Sequence, residues 1–277
     1  MSGGGVTHRI CRASRIGSVA RIRLDQLLTN LGLARSRAEA QSLIHAGDVE
    51  LDGTRRLKPG QLVKGDASVA LAAKPRWASR AGGKLEHALD SFEIDPTGMA
   101  CLDAGASTGG FTDVLLARDA RVVYAVDVGR GQLIDRLRRD ERVVSMERTN
   151  LRELTDLPEP IDLATLDLSF ISLRLVLPAV RNLLAANGRA VALVKPQFEA
   201  GREDVPRGGI VREPGTWERV LHAVVAAANG ARLQAVNVIR SPIVGSDGNV
   251  EFLMDLRTGG VGHQGIDPAI AASIGDR

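Results

Sequence analysis

One stretch of the sequence, residues 101–113, constrains the fold more than any other. An apolar run from Met99 to Leu102 stops at Asp103 and is followed by a loop of small residues, Ala-Gly-Ala-Ser-Thr-Gly-Gly. Apolar spacing then resumes at Phe111 with the period of a helix face. A strand, a tight turn and a helix start, in this order, are typical of the edge at which open α/β sheets bind nucleotide-like ligands. The sequence therefore predicts an α/β fold with a ligand site at this turn.

The loop itself reads G-x-x-x-G-G at Gly105, Gly109 and Gly110, so the strict dinucleotide fingerprint G-x-G-x-x-G is absent. Glycines still allow positive φ and a close approach of the backbone to a ligand. The N-terminus of the following helix offers backbone amides that lack helical partners. The loop therefore remains a candidate cofactor site without being diagnostic of one cofactor.

The second predicted strand, residues 121–127, narrows the choice of cofactor. It ends in Asp127, 22 residues beyond Gly105, where a carboxylate can accept both ribose hydroxyls of a bound nucleoside. NAD would use the same device, but S-adenosylmethionine carries no pyrophosphate and favours an acid such as Asp103 at the end of the first strand. We therefore predict S-adenosylmethionine as the cofactor. The predicted contacts are Asp103, Gly105, Ser107, Gly109, Gly110, Phe111, Asp127, Asn150 and Asp167.

Charge is distributed unevenly along the 277 residues. Residues 1–80 carry 14 Lys and Arg against 6 Asp and Glu, whereas the remainder carries 22 against 27. A basic module beside a mildly acidic one indicates a polyanion-binding appendage. Two cysteines exclude a disulfide framework and a cysteine metal cluster, and no apolar run reaches the roughly 18–20 residues that span a bilayer. We expect a cytoplasmic monomer that uses neither metal nor membrane.

The basic part shows a local pattern that a solvated tail would lack. Residues 21–30 have the apolar spacing of a helix, and a second helix follows Ser36, which is placed as an N-cap. Short strands are predicted at 49–53 and 62–69. The motifs are Arg-Leu-Asp-Gln-Leu-Leu at 23–28, Ala-Arg-Ser-Arg at 34–37, Ala-x-x-Leu-Ile-x-x-Gly at 40–47 and Val-x-Leu-Asp-Gly at 49–53.

These motifs resemble the α-L RNA-binding module, which is named for ribosomal small-subunit protein four. The resemblance implies binding to structured RNA through backbone phosphates, which supplies affinity and placement without sequence readout. The predicted RNA contacts are Arg21, Arg23, Arg35, Arg37 and Arg76.

Strands and helices alternate after residue 80, as expected for a parallel sheet covered by helices. We predict helices at 110–118, 131–139, 173–186 and 214–229, and strands at 99–104, 121–127, 143–147, 162–168, 189–195, 231–240 and 249–256, the last two as an antiparallel pair. The predicted organisation is a disordered basic arm at 1–20, the RNA-binding domain at 21–73, a linker at 74–79, the α/β domain at 80–258 and a flexible tail at 259–277.

Four ionisable residues are predicted to lie at the edge of the sheet where such folds place a functional site. Lys84 opens the helix before the first strand, Asp167 and Lys195 end the fourth and fifth strands, and Glu251 lies in the final strand. A charge that interrupts a buried strand is costly unless it is paired or functional. Moving a methyl group from a sulfonium to a ribose hydroxyl requires removal of the hydroxyl proton, and a buried lysine beside a second cation can be that base. Spacing does not choose between Lys84 and Lys195.

The α/β part resembles the TlyA family, bacterial ribosomal RNA 2′-O-methyltransferases with an FtsJ-like catalytic domain and a history of haemolysin names. The motifs are Ser-Arg-Ala-Gly-Gly-Lys-Leu at 79–85, Asp-Ala-Gly-Ala-Ser-Thr-Gly-Gly-Phe-Thr at 103–112, Val-Asp-Val-Gly-x-Gly-Gln-Leu at 126–133, Asp-Leu-Ser-Phe-Ile-Ser-Leu at 167–173 and Val-Lys-Pro-Gln-Phe-Glu-Ala-Gly at 194–201. The one departure is Ala81, where the family usually has Ser-Arg-Gly-Gly before the lysine.

The resemblance implies that Lys84, Asp167, Lys195 and Glu251 form a catalytic tetrad. It also implies cytidine 2′-O-methylation in 23S rRNA and, because the basic arm is typical of the longer members, in 16S rRNA. Two alternatives remain. A membrane-active haemolysin would need an apolar span or an unburied amphipathic segment, and a pseudouridine synthase would need a catalytic aspartate in a β-rich domain.

Overall fold

The structure is a computed structural model that describes residues 10–11, 21–45, 49–52, 57–71, 76–201, 203–245, 247–259 and 265–275. The chain divides into two compact units, Met1–Arg76 and Trp77–Arg277. The division falls inside the segment 74–79 that we predict as a linker, of which residues 74 and 75 lie outside the described ranges.

The first unit contains two helices and short strands. They are β1 (Ile10–Cys11), β2 (Arg21–Arg23), α1 (Leu24–Asn30), α2 (Arg37–His45), β3 (Val49–Leu51), β4 (Leu62–Lys64) and β5 (Val69–Leu71). Strand β5 pairs antiparallel with β1 and β3, and β2 pairs antiparallel with β4. The core of this unit is made by apolar residues of both helices and of the strands, including Leu24, Leu28, Ile44, Val49 and Val69.

Two predictions for this unit are wrong in part. Residues 21–23 form strand β2 rather than the start of a helix, because Arg21 and Arg23 alternate with Ile22 and pair along β4. The arm predicted as disordered contains β1 at residues 10–11, whereas the rest of residues 1–20 lies outside the described part. The predicted N-cap is confirmed, since the Ser36 hydroxyl accepts the Glu39 N–H at 3.2 Å.

The second unit is an α/β sheet domain. Its strands are β6 (Ala100–Ala104), β7 (Val122–Asp127), β8 (Val143–Glu147), β9 (Ile161–Leu166), β10 (Leu184–Val194), β11 (Gln234–Arg240) and β12 (Phe252–Arg257). Its helices are α3 (Ala81–Ser91), α4 (Gly110–Ala117), α5 (Asp135–Arg138), α6 (Leu177–Leu183), α7 (Pro196–Glu199), α8 (Pro214–Gly230) and α9 (Ile266–Gly275), with single 3₁₀ turns at Leu151–Glu153 and Leu173–Leu175.

The seven strands form one sheet in the order β11-β12-β10-β9-β6-β7-β8. Strands β8, β7, β6, β9 and β10 run parallel, and β12 runs antiparallel to both of its neighbours. Successive residues of β6 serve opposite faces: Leu102 packs in one hydrophobic core and Cys101 in the other. The order reverses between β6 and β9, so the loops after these two strands border the crevice where such sheets bind ligands. The predicted α/β class is confirmed.

The structure corrects several element boundaries. Of the helix predicted over 131–139, only Asp135–Arg138 is helical. The helix predicted over 173–186 is a 3₁₀ turn followed by α6, because the chain joins the sheet at Leu184, beside Ile161 of β9. The last strand begins at Phe252, so Glu251 precedes it. Of the tail predicted as flexible, 266–275 forms α9, whose Ile266 and Ile270 are buried in the core against β11. Their apolar side chains account for this ordering.

Candidate active site

The sheet brings the four ionisable residues to one edge. Strands β9 and β10 are parallel, so Asp167 and Lys195, which follow them, leave the sheet at the same side. Strand β12 is antiparallel to β10 with Val194 opposite Phe252, which places Glu251 at that side as well. Lys84 reaches it from α3. Residues separated by as many as 167 positions in sequence therefore share one site.

Within the site the charges form two ion pairs. The Lys195 Nζ lies 2.7 Å from Asp167 Oδ1, and Lys84 is paired with Glu251. Lys84, Lys195 and Glu251 are 7%, 8% and 3% exposed. Removing one member of a buried pair leaves an uncompensated charge and costs about 3–5 kcal/mol. The pairing keeps each amine in a fixed place within a region of low water content.

The backbone packs tightly around these pairs. A Cβ atom added to Gly245 would lie 2.6 Å from Glu251 Oε1, so the chain passes directly over this carboxylate. At the glycine turn, Gly105 has φ +87° and an added Cβ would collide with the Asp167 carbonyl oxygen. A side chain at Gly109 would collide with Leu133 and Leu137. These glycines are required by the chain's own packing, which is independent of any ligand.

Asp103, at the end of β6, stabilises the glycine turn by binding the first turn of α4. Its carboxylate is fully buried and accepts hydrogen bonds from the Thr112 N–H at 2.8 Å and the Thr112 hydroxyl at 2.6 Å. Burial raises the pKa of Asp103 to about 7, against the opposing effect of the Thr112 hydrogen bonds. These bonds fix the first turn of α4 to the end of β6, so the predicted contact residue also shapes the loop.

Asp127 is a predicted cofactor residue whose carboxylate lies beside a cleft. It ends β7 and is half-buried; its two carboxylate oxygens accept the N–H groups of Ser107 at 2.8 Å and Gly129 at 2.7 Å. With Gln132 and Glu147 these residues line a small cleft beside the glycine turn. A carboxylate held by two backbone amides at a strand end fits the task of accepting ribose hydroxyls.

The other predicted cofactor contacts are placed differently. Asn150 caps the 3₁₀ turn that follows β8: its side chain accepts the Arg152 N–H at 3.1 Å and donates to Glu153 at 2.7 Å. The Phe111 side chain is buried in the core, so only its backbone could face a ligand. Gly110 packs against Ser79, in the segment that leads into α3.

Sequence reasoning missed two aromatic residues next to Lys195. Phe170 is 91% exposed, has φ +62° and lies with its ring centroid 5.2 Å from that of Phe198. Lys195 Nζ lies 6.0 Å from the Phe198 centroid and donates to the Ser169 hydroxyl at 3.0 Å. The available signal was spacing: each phenylalanine follows a predicted catalytic residue, Asp167 or Lys195, by three positions.

A missed acid, Asp113 in α4, holds the segment that leads into α3. Its side chain accepts the Ala78 N–H at 2.8 Å and is paired with Arg136 through both guanidinium nitrogens. It thereby joins α4, α5 and the segment before α3. Among the described residues, no three His, Cys, Asp or Glu side chains gather as metal ligands would.

In the first unit, two of the predicted RNA-contacting arginines, Arg23 and Arg37, are organised by Asp25. This fully buried carboxylate is bonded by Arg23 at 2.9 Å, by Arg37 at 3.3 Å and by Gln41 at 3.0 Å. The Arg23 hydrogen bond, opposed by burial, holds the pKa of Asp25 far below its usual range. Arg21, Arg35 and Arg76 are exposed. Sequence reasoning identified these arginines and missed the acid that orients two of them.

Comparison with known proteins agrees with this division. The FtsJ-like methyltransferase family model matches residues 77–258, and the S4 domain model matches residues 22–69. The 16S/23S rRNA (cytidine-2′-O)-methyltransferase TlyA of Mycobacterium tuberculosis is 47% identical over 244 residues, which are 86% of this chain and 90% of that protein.

Solved structures agree as well. One named for a hemolysin from Streptococcus thermophilus has a TM-score of 0.71 and 41% identity, covering 92% of this chain and 96% of that one. An S-adenosylmethionine dependent methyltransferase from Listeria monocytogenes shares the fold, with a TM-score of 0.50 and 18% identity over 66% of this chain and 100% of that one.

Proposed function

This chain belongs to the FtsJ-like methyltransferase family and, on that premise, we propose that it transfers the methyl group of S-adenosylmethionine to the 2′-hydroxyl of cytidine in 23S and 16S ribosomal RNA. The observation that carries the proposal is the pair of buried ion pairs, Lys195–Asp167 and Lys84–Glu251, at the edge where the glycine turn and Asp127 also lie. The 47% identity to a protein named for this reaction supports the choice of substrate.

The cleft beside the glycine turn fits the proposed cofactor. Asp127 would hold the ribose hydroxyls, and the backbone around Gly105 would lie against the nucleoside. When bound, S-adenosylmethionine supplies an activated methyl group on a sulfonium, so the protein needs to add no covalent chemistry. Its own contribution is to hold the hydroxyl in line and to remove a proton.

Proton removal falls to a lysine of the tetrad. In its neutral form, Lys195 Nζ can take the proton of the attacking hydroxyl, and Asp167 at 2.7 Å then stabilises the resulting ammonium. Ser169, bonded to the same nitrogen at 3.0 Å, fixes its direction. Lys84, which is paired with Glu251, supplies a second positive charge at the same edge of the sheet. We favour Lys195 as the base because its partners Asp167 and Ser169 lie on the same loop as Phe170. The exposed Phe170 ring can receive the target base, which would bring the nucleotide to this lysine.

Substrate placement uses two surfaces. The basic module at 21–71 would bind RNA phosphates, which gives affinity without reading sequence. At the catalytic edge, the exposed Phe170 ring offers a face on which an unpaired base can stack, a contact worth about 1–3 kcal/mol. A nucleotide whose base is stacked there would present its ribose toward Lys195.

The experiment is direct. Purified protein is incubated with isolated ribosomal subunits and S-adenosylmethionine, and ribose methylation is mapped by mass spectrometry of the rRNA. A methyl group added to a cytidine ribose is expected in both 23S and 16S rRNA, and neither is expected with the Lys195→Ala variant. Methylation of a base, or no methylation of either subunit, would contradict the proposal.

Of the two alternatives, a pseudouridine synthase is excluded for residues 77–258 by their membership of a methyltransferase family. The haemolysin hypothesis rests on the names of relatives. Within the described ranges, no helix has both the length and the apolar character needed to cross a membrane.

A further inference from the structure

A buried carboxylate that the proposed chemistry does not use lies one helical turn after Lys195. Glu199, at the end of α7, is 5% exposed. Its oxygens accept the Ser172 hydroxyl at 2.6 Å and the Leu173 N–H at 2.6 Å, and Arg174 Nε lies 3.6 Å away. All of these donors belong to one short segment, residues 172–174, at the end of the catalytic loop, residues 167–173.

That loop is held at both ends. At its start, Asp167 and Ser169 are bonded to Lys195. At its end, Ser172 and Leu173 are bonded to Glu199. The two anchors on the β10–α7 side are four residues apart, so the loop is tied at two points to one rigid turn.

Phe170 lies between the two anchors in a conformation that an L-amino acid avoids. Its φ is +62° and its ring is 91% exposed, so burial of the side chain does not stabilise this backbone. Such a conformation persists only where the surrounding structure imposes it. Besides the contact of its own ring with Phe198, the contacts that can impose it are those of Lys195 on one side and Glu199 on the other.

A purely structural role for Glu199, as a cap of the 3₁₀ turn Leu173–Leu175, accounts for less of the geometry. Ser172 already caps this turn, since its hydroxyl accepts the Arg174 N–H at 3.2 Å. Burying a carboxylate is costly, and burial raises the pKa of Glu199. A three-residue turn does not require that cost.

We propose that Glu199 is a positioning residue: it holds residues 170–173 so that the Phe170 ring stays presented beside Phe198 and Lys195 for the target nucleotide. The inference rests on the proposed function, because a nucleotide is the partner for which the ring is held. It adds to that function a residue that touches neither cofactor nor substrate and acts through the loop.

The first test needs no substrate. Glu199→Gln keeps the side-chain size, but its amide group turns two donor hydrogens toward a site that supplies donors. Hydrogen exchange of the amides of residues 168–173 should speed up by at least about tenfold relative to wild type, with exchange in β9 and β10 unchanged. Glu218→Gln, an exposed glutamate on α8, is the matched control and should change neither. Unchanged exchange in the loop would overturn the proposal.

The second test is a double-mutant cycle on methyl transfer. Glu199→Gln should lower kcat/KM for RNA by about tenfold, while the affinity for S-adenosylmethionine stays unchanged. In a Phe170→Ala background the same substitution should have almost no further effect, because the group it positions is gone. Ser172→Ala, which removes one bond to Glu199 from the other side, should reproduce part of the loss and serves if the Gln variant folds poorly.

The outcomes separate the two proposals. Independent, multiplicative losses from Glu199→Gln and Phe170→Ala would overturn the positioning role while leaving methyl transfer intact. A wild-type protein that transfers no methyl group would overturn the proposed function, and the exchange measurement would still decide whether Glu199 orders the loop.

Discussion

Two aspartates, one in each unit of the chain, are fully buried, and yet their pKa values are shifted in opposite directions. Asp25 in the first unit is bonded by the guanidinium groups of Arg23 and Arg37, and its pKa is far below the usual range. Asp103 in the second unit accepts hydrogen bonds from Thr112 and, at 3.4 Å, from the Thr165 hydroxyl, all of them uncharged donors, and burial raises its pKa to about 7. Neither carboxylate is exposed to solvent, but only Asp25 has cationic partners. These favour its charged form, whereas the uncharged donors around Asp103 offset only part of the cost of burying a charge.

The arginine cluster around Asp25 and the lysine pairs of the catalytic edge also differ in their exposure to solvent. Around Asp25 the basic partners are open to water, with 43% of the Arg23 side chain and 56% of the Arg37 side chain exposed. In the pairs Lys84–Glu251 and Lys195–Asp167, both partners are largely enclosed. An enclosed acid that orients exposed arginines suits a surface that meets phosphates. Enclosed pairs suit proton transfer, because water competes less for the amines.

The largest effect on methyl transfer is expected from removing one member of a buried ion pair. Lys195→Ala should lose methyl transfer by at least ~100-fold, the usual scale for a general base, with cofactor and RNA binding retained. Lys195→Arg should fail nearly as badly because a guanidinium stays protonated. Turnover is measured by methyl incorporation into ribosomal subunits, with circular dichroism as the control for folding. Near-normal turnover of the arginine variant would make Lys195 an electrostatic clamp and move the base to Lys84.

The next largest effect is expected from removing the half-buried carboxylate of Asp127, at the same edge of the sheet. Asp127→Ala should weaken S-adenosylmethionine binding by about 1.5–3 kcal/mol, the range for a hydrogen bond to a charged group. Calorimetric titration of the cofactor gives this number, and RNA affinity of the same variant is the control. An unchanged affinity would show that Asp127 serves only to hold the Ser107 and Gly129 amides.

A third prediction uses pH to compare the two buried aspartates. The lowered folded-state pKa of Asp25 stabilises the first unit above about pH 4, and this contribution is lost as the pH falls further. Asp25→Asn should therefore cost this unit about 2 kcal/mol near pH 7 and flatten its acid dependence. For Asp103 the sign is reversed: the folded state binds the proton more tightly, so stability should fall as the pH rises from about 4 to about 7.

Unfolding with urea at a series of pH values measures both effects. Asp103→Asn should remove the loss of stability between pH 4 and pH 7 in the sheet domain. If both asparagine variants flatten the curve in the same pH range, the contrast between a cation partner and a hydroxyl partner is wrong.

The smallest effect concerns the open arginines. Replacing Arg35 and Arg37 together by alanine should weaken RNA binding a few-fold for every sequence and flatten its salt dependence by up to about two units of slope. Binding is measured by filter retention over a range of salt concentrations. Arg37→Ala should also lower the stability of the first unit, since Arg37 bonds Asp25, whereas Arg35→Ala should not. Normal binding by the double variant at all salt concentrations would place the RNA surface elsewhere.

Local features of the chain could be read without the structure. The strand, glycine turn and helix at 99–118 were predictable because apolar periodicity and turn residues act over a few neighbouring positions. Lys195, which interrupts an apolar run, was visible as a candidate for the same reason. Prediction was weakest where packing decides. Ile266, Ile270 and Ile274 have helical spacing, but the sequence does not show that this short segment is ordered by burial of Ile266 and Ile270 against β11.

The sequence by itself determined which residue types were available, their order, and the two kinds of unit that they form. Only the tertiary structure decided the partners. Lys84 pairs with Glu251 and Lys195 with Asp167 because β12 runs antiparallel beside β10 and β9 runs parallel to it. Asp25 likewise meets Arg37 and Gln41, and Glu199 meets Ser172 and Leu173, although these partners lie 12 to 27 positions away in sequence. A contact between distant residues depends on strand order and register, and these are set by how the whole sheet buries its two faces.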